Sequence, residues 1–223
     1  MSEAGLPAAS AYPVTYAVEA PTEERNRLTV AFRIILAIPH ALLVGTPGGV
    51  GGLPSAGLQS GTSWVANVFY NGALGLVAGV MAIVSWFAIV FTGKQPRGLW
   101  DLIGFYLRWR SKAVSYMALL RDEYPPFGEG DYPVQFNLGE FPEIRDRLSV
   151  GLRLIYAIPH IIVLIFIEIA WVVTAIIGWF AILLTGSYPE GLYRFAVGYL
   201  RWSLRVEAYV LLVQDKYPPF SLE

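Results

Sequence analysis

The sequence predicts a mainly α, integral membrane protein made of two pseudo-symmetric repeats. Each repeat is expected to hold a short β-strand, a transmembrane or re-entrant helical hairpin and an amphipathic interfacial helix. Three observations carry the prediction. Hydrophobic residues make up 55% of the 223 residues and charged residues only 15%, against roughly 25% charge in an average soluble domain. The chain repeats itself. Its Lys and Arg residues avoid two long stretches.

The repeat comes directly from the residues. Tyr12 to His40 aligns with Tyr132 to His160 at an offset of 120, with 14 of 29 positions identical. Trp86 to Phe127 aligns with Trp179 to Phe220 at an offset of 93, with 20 of 42 identical. The offsets differ by 27, so copy one carries 27 extra residues between His40 and Trp86. These include the Gly-rich run GTPGGVGGLPSAGLQSG. The chain divides into a flexible N-terminus at 1–11, repeat 1 at 12–128 with an insertion at about 45–63, and repeat 2 at 129–223. Residues 1–11 lack the basic-then-apolar order of a signal peptide.

Each copy opens on Tyr-Pro-Val and then alternates, which suits a short strand with Pro near its first position. The Tyr12 and Tyr132 strands are expected to pair. A polar stretch with Arg25 and Arg27, or Arg145 and Arg147, follows. Two hydrophobic runs come next, the first holding a Pro-His pair and the second ending in Trp-Phe-Ala-Ile-x-x-Thr-Gly. In copy two, Leu148 to Leu184 is 37 residues interrupted only by Arg153, His160 and Glu168. A spanning helix needs about 20, so a tight hairpin is expected, ahead of a rival with one span per copy whose third segment returns through the bilayer with Arg108, Arg110 and Lys112 buried. Insertions settle in loops more readily than inside helices. That places the turn near Glu168 in copy two and across Gly45 to Ser63 in copy one.

None of the 16 basic residues lies in 41–93 or 154–193. Outward hairpins leave them all on one side, which the positive-inside rule makes cytoplasmic. In the third segment, Glu190, Arg194, Arg201 and Arg205 fall on one stripe at 100° per residue, as do Arg97, Asp101, Arg108 and Lys112. The rest is largely apolar. Such a helix suits the headgroup region, its cations meeting lipid phosphates. A stripe facing cytoplasmic water and acidic residues of the other copy is the plainer alternative. Both remain open.

Spaced motifs recur in order and twice. They are Arg-Leu-x-Val-x-x-Arg-x-Ile-x-Ala-Ile-Pro-His, then Trp-Phe-Ala-Ile-x-x-Thr-Gly-x-x-Pro-x-Gly-Leu, then Tyr-Leu-Arg-Trp and Tyr-Pro-Pro-Phe. In these the chain resembles the bacterial membrane proteins grouped as domain of unknown function 4389, in two tandem copies from about Tyr12. The resemblance implies a membrane-embedded bacterial protein and implies no activity. Copy one departs from the pattern in its insertion and in Lys94-Gln95, where copy two has Ser187-Tyr188.

Few residues offer chemistry. His40 and His160 are the only histidines, equivalent by repeat and placed at membrane depth. An intramembrane ionisable group is a functional candidate, and two such rings could ligate a haem iron. The plainer role is hydrogen bonding near Pro39 and Pro159, each of which frees a helical carbonyl. Arg33 and Arg153 are lipid or anion candidates with Arg108, Lys112, Arg201 and Arg205. Snorkelling, or pairing with Asp122, Asp215 or Glu207, competes with that reading. Gly75 and Gly79 form a small-residue spacing for helix packing. The Gly-rich insertion lacks the Lys-Ser/Thr ending of a phosphate loop. Without cysteine there is no disulfide or thiolate site.

The expected function is therefore non-catalytic: an accessory, scaffold or lipid-interacting protein of the bacterial inner membrane, multi-pass, with cytoplasmic termini. Its partners are membrane lipids and a larger membrane complex, not nucleic acid. Competing expectations are a haem-binding redox protein using His40 and His160, and a small transporter or lipid carrier.

Overall fold

The computed structural model describes residues 12–21, 24–48 and 70–223. The expected flexible N-terminus at 1–11 and most of the Gly-rich insertion lie outside them. Nine elements follow in order: β1 (Thr15–Val18), α1 (Arg27–Ala31), α2 (Arg33–Val44), α3 (Ala73–Thr92), α4 (Arg97–Met117), β2 (Val134–Asn137), α5 (Arg147–Gly151), α6 (Arg153–Thr185) and α7 (Glu190–Val210). The described chain is mainly helical. Both α3 and α6 are long and apolar enough to cross a membrane.

Local sequence accounts for the ends. The Asn26 side chain accepts from the Leu28 and Thr29 amides to start α1, and Asp146 accepts from Leu148 to start α5. Gly93 and Gly186, the glycines of the two Thr-Gly pairs, end α3 and α6 in the left-handed conformation. At the ends of α4 and α7 the left-handed residues are Leu119 (φ 61°) and Leu212 (φ 63°). Leu120 N donates to Ser115 O and Leu119 N to Tyr116 O, and Val213 and Leu212 repeat this with Ala208 and Tyr209. Burial of both leucine side chains offsets the strain of a non-glycine residue there.

The strands pair antiparallel with Tyr16 opposite Phe136, Thr15 opposite Asn137 and Ala17 opposite Gln135. Tyr16 and Phe136 are equivalent at the offset of 120, so a pseudo-twofold axis passes between them. Other contacts obey the same axis. Trp179 Nε1 donates to Val30 O at 3.0 Å, and Trp86 Nε1 donates to Val150 O at 3.0 Å. The start of each copy's long helix therefore lies by the end of the other's, and the two run antiparallel.

The hairpin expectation is corrected. No turn occurs near Glu168, because α6 is one helix of 33 residues, about 50 Å long at 1.5 Å per residue. The stretch around Glu168 holds no Gly or Pro to break it. Copy one has the same helix, interrupted. Residues 33–44 match 153–164 and 73–92 match 166–185, so Gly45 to Gly72 stands where copy two has Ile165. The ends of this insertion touch. Thr46 N donates to Tyr70 O at 3.2 Å. A Cβ on Gly45 (φ +79°) would lie 2.5 Å from Tyr70 O, and one on Gly72 (φ +74°) 2.5 Å from Leu43 O. Only glycine closes such a gap. The real hairpin of each copy is the long helix with the third helix returning beside it.

Three layers result. On α4, Tyr106, Trp109 and Arg110 face α2 and α3, meeting Gly75, His40 and Val44. The opposite face meets the strand pair through Gly104 against Leu138 and Ser115 against the Tyr16 hydroxyl. On α7, Trp202 meets His160 on α6, and Arg201 donates to Tyr16 O on the other side. The strand ribbon and the long helices thus lie on opposite faces of the α4 and α7 layer.

Candidate functional site

Charged groups gather at the two ends of the helix layer. Asp122 follows α4, and Arg25 Nε and Nη2 donate to its two oxygens at 2.9 and 2.8 Å. Arg33 Nη2 donates to the same carboxylate at 2.7 Å. Asp215 holds Arg145 and Arg153 in the same way. The guanidiniums also take the carbonyls that α4 and α7 leave free. Arg33 Nη1 reaches Tyr116 O and Arg121 O, and Arg153 Nη1 reaches Tyr209 O and Gln214 O. Two cations share one anion, so each cluster carries one net positive charge. Burial pushes the Asp122 carboxyl upward, but bonds and charge from Arg25, Asn26 N–H and Arg33 outweigh it and hold it below its ordinary 3.8.

Arg33 and Arg153 are only 2% and 1% exposed and lie over the Tyr116 and Tyr209 rings at 3.9 and 4.3 Å. The structure thus places both candidates inside the protein, on Asp122 and Asp215, rather than at a lipid surface. The other four lie under the ribbon and the closing segments. Arg108 pairs with Glu129 at 2.6 Å and Lys112 donates to Gly130 O. Arg201 reaches Tyr16 O and Leu222 O, and Arg205 reaches Glu223 O at 2.5 Å. Arg108 and Lys112 stay half-exposed and line an open cleft, whereas Arg205 is buried.

Each histidine is boxed by its own repeat. Trp109 Nε1 donates to His40 Nδ1 at 3.2 Å, and Trp202 Nε1 donates to His160 Nδ1 at 3.1 Å. An indole N–H can only donate, so Nδ1 is the acceptor and Nε2 carries the proton. His40 Nε2 meets Pro125 O at 3.1 Å. Phe127 and Phe220 of the two Tyr-Pro-Pro-Phe closures stack on the rings at 4.5 and 3.9 Å. A haem iron bound to both rings would have to find a nitrogen other than the indole-bonded Nδ1 on each. His40 Nε2 is already engaged. The Pro-Pro closures are thus clamps on the histidines, a role the repeat alone does not reveal.

A matching family is described as Domain of unknown function (DUF4389), over residues 64–128 and 147–221. The two segments cover more than half of the chain. The chain belongs to this family. Its two matched segments agree with two tandem copies of the domain. Nothing matches among curated proteins or solved structures.

One charged centre was absent from the sequence reading. Arg110 Nε donates to Glu207 Oε2 at 2.8 Å, and the Tyr106 hydroxyl donates to Glu207 Oε1 at 3.0 Å, all fully inside. Arg110 Nη1 and Nη2 take Val44 O and Thr46 O, where the insertion leaves α2. The equivalent positions in the other copy are Ser203 and Val114, so no repeat signal marks this pair. Its need follows from the broken helix. Carbonyls freed inside an apolar layer require donors, and copy two, with α6 continuous past Leu164, has no counterpart of the freed Val44 and Thr46 carbonyls. Gly75 and Gly79 are buried on α3. A Cβ on Gly75 would lie 2.8 Å from the Tyr106 hydroxyl, which puts this spacing to use within the chain. Glu168 lies against Gly48 at the root of the insertion.

Proposed function

We propose that the chain is a non-catalytic membrane protein whose long helices lie flat in one leaflet. It acts there as an accessory or scaffold on lipid and on a larger membrane assembly. The supporting observation is the separation of the layers. The outer layer exposes Ile34, Ile38, Ile83, Phe87, Phe166, Ile169, Ile177 and Phe180, while the ribbon exposes Thr15, Gln135 and Asn137. The ribbon packs against the middle of α4 and α7. Upright helices would hold its open edges at mid-depth in hydrocarbon, where exposed sheet edges do not occur. Flat helices put the ribbon in water. A helix about 10–12 Å across fits in one leaflet, about half of the roughly 30 Å core.

The flat arrangement replaces the multi-pass expectation and keeps the one-sided charge. Both ends of each long helix, with Arg25, Arg27, Arg145 and Arg147, then share one face. The segment entering β1 lies by the last segment of the chain, since the Tyr12 hydroxyl bonds to Lys216 O. In a bacterial inner membrane the face shared by the helix ends is the cytoplasmic face, whose anionic lipids attract basic residues. Two such helices wedge one leaflet and favour curved bilayer.

The sequence has no cysteine, so nitroxides at Ile155→Cys, Ile162→Cys, Ile169→Cys and Ile176→Cys report depth cleanly. Flat helices give four similar depths. A spanning helix steps by about 10 Å per seven residues, and that profile overturns the proposed placement. Release of the chain by alkaline carbonate overturns membrane embedding. Unaltered vesicle shape, with no co-purifying partner in native mass spectrometry, overturns the scaffold role.

A further inference from the structure

The two copies provide an internal comparison at their junctions. Arg145 N donates to Gly93 O, and its counterpart Arg25 N donates to Gly186 O. Arg145 Nε and Nη2 hold Asp215 and Leu212 O, as Arg25 Nε and Nη2 hold Asp122 and Leu119 O. The third nitrogen breaks the match. Arg145 Nη1 donates to Gln95 Oε1, whereas Arg25 Nη1 is buried with no partner among the described residues. Tyr188 stands where the other copy has Gln95. Tyr193 stands where it has Trp100, whose Nε1 donates to Val213 O at 3.0 Å. Both tyrosine hydroxyls are buried and also lack partners.

Arg25, Tyr188 and Tyr193 all line one cleft of about 350 Å³ between the polar segment before α1 and the turn joining α6 to α7. Ala20, Pro21 and Gly186 complete its walls, with Glu24 and Glu190. Arg25 itself is only 6% exposed. Leaving a buried donor unmatched costs about 1–3 kcal/mol, and three such atoms in one cleft is a built arrangement.

We propose that this cleft binds a small organic carboxylate, its oxygens received by Arg25 Nη1 and the Tyr188 and Tyr193 hydroxyls. The ligand oxygen takes the place that Gln95 Oε1 fills in the other copy. Arg25 Nη1 can only donate and each hydroxyl has a proton to give, so a ligand rich in acceptors satisfies all three. Burial pushes the Tyr188 phenol up to about 12, which keeps it a donor at neutral pH. Arg25 and Arg33 share only Asp122, and the remaining positive charge favours an anion. Glu24 and Glu190, the latter paired with Arg194, oppose a dianion and so select a carboxylate over a phosphate. The tyrosine rings and Pro21 suit a short apolar body.

The test titrates the purified full chain in detergent with benzoate, benzamide and inorganic phosphate, read by ligand-observed NMR and calorimetry. Benzoate is expected to bind most tightly. Tyr193→Phe is expected to weaken it by about tenfold, the scale of one hydrogen bond to a charged group. Tyr188→Gln rebuilds the other copy's plug. It is expected to abolish binding while raising the melting temperature, because Arg25 Nη1 gains its acceptor. Tighter binding of benzamide or phosphate overturns the carboxylate assignment. Absent benzoate binding, or equal binding by Tyr188→Gln and Tyr193→Phe, overturns the site.

Discussion

The Arg110–Glu207 pair should be needed only because copy one's long helix is interrupted. In the full chain, Glu207→Ala leaves Arg110 charged and buried without its carboxylate, which costs about 3–5 kcal/mol. For a chain of this size that is roughly 6–20 °C in Tm. Arg110→Ser with Glu207→Val copies Ser203 and Val114 of the other repeat and removes both charges. It still strips the donors from Val44 O and Thr46 O, two acceptors at about 1–3 kcal/mol each. It also orphans the buried Tyr106 hydroxyl, which donates to Glu207, so the double variant should lose about 3–9 kcal/mol. Replacing Gly45 to Gly72 by one isoleucine, as at Ile165, should restore a continuous helix and return both carbonyls to helical partners. In that background the double variant should cost only about 1–3 kcal/mol, the share of the buried Tyr106 hydroxyl that loses Glu207 Oε1, because neither charge nor freed carbonyl remains. Thermal unfolding of the four proteins in one detergent, followed by circular dichroism, measures the cycle. An equal loss in both backgrounds would refute the link between the pair and the helix break.

Acid should unfold the chain through the end clusters. Asp122 is held below its ordinary value, so its stabilisation is complete above the unfolded carboxyl's 3.8 and is lost as pH falls through the lower folded value. Asp122→Asn should lower Tm at pH 7 and flatten its decline below pH about 4; an unchanged acid limb in a Tm series against pH contradicts this. Gly75→Ala puts a methyl 2.8 Å from the Tyr106 hydroxyl and should destabilise by about 1–3 kcal/mol. Ser85→Ala, on the same helix, removes a buried hydroxyl that has no hydrogen bond among the described residues and should raise Tm in the same scan.

What the sequence made legible was whatever the two copies share. Tyr16 opposite Phe136, the glycine ends of the long helices and the equivalence of His40 with His160 all follow from the alignment. Arg33 and Arg153 were recognised as a pair, and Asp122, Asp215 or Glu207 as possible counterions, but not the choice between lipid and carboxylate, nor that Glu207 holds Arg110 instead. A charged stripe on an apolar helix reads alike whether water, headgroups or protein covers it. Only the ribbon and the C-terminal segment, folded back from far along the chain, decide that for Arg201 and Arg205. The hairpin failed on a different point. An insertion was taken to mark a loop, yet two glycines with positive φ let this one leave and re-enter a helix through a single residue's gap. Differences between the copies carried the least signal. Arg110 and Glu207 in one copy, and Tyr188 in the other, stand out only once their neighbours are known.

Those differences also bear on how the repeat works. Symmetric contacts do the holding: Asp122 and Asp215 tie the helix ends, Trp86 and Trp179 lock each long helix to the other copy, and the aromatic clamps close over both histidines. Within the two end clusters, Arg33 Nε and Arg153 Nε are left unpartnered alike in both copies, so those donors do not distinguish one copy from the other. The two departures each create something the other copy lacks. In copy one, Arg110 anchors the root of the insertion at Val44 O and Thr46 O. In copy two, the turn after the long helix leaves Arg25 Nη1 and two hydroxyls around an open cleft. A scaffold needs its two halves alike in shape, since a flat pair of antiparallel helices sits evenly in a leaflet only if both are equally apolar and equally long. Recognition needs them unlike. The long helices meet the first demand at 33 residues in α6 and a combined 12 and 20 in α2 and α3, and the junctions meet the second.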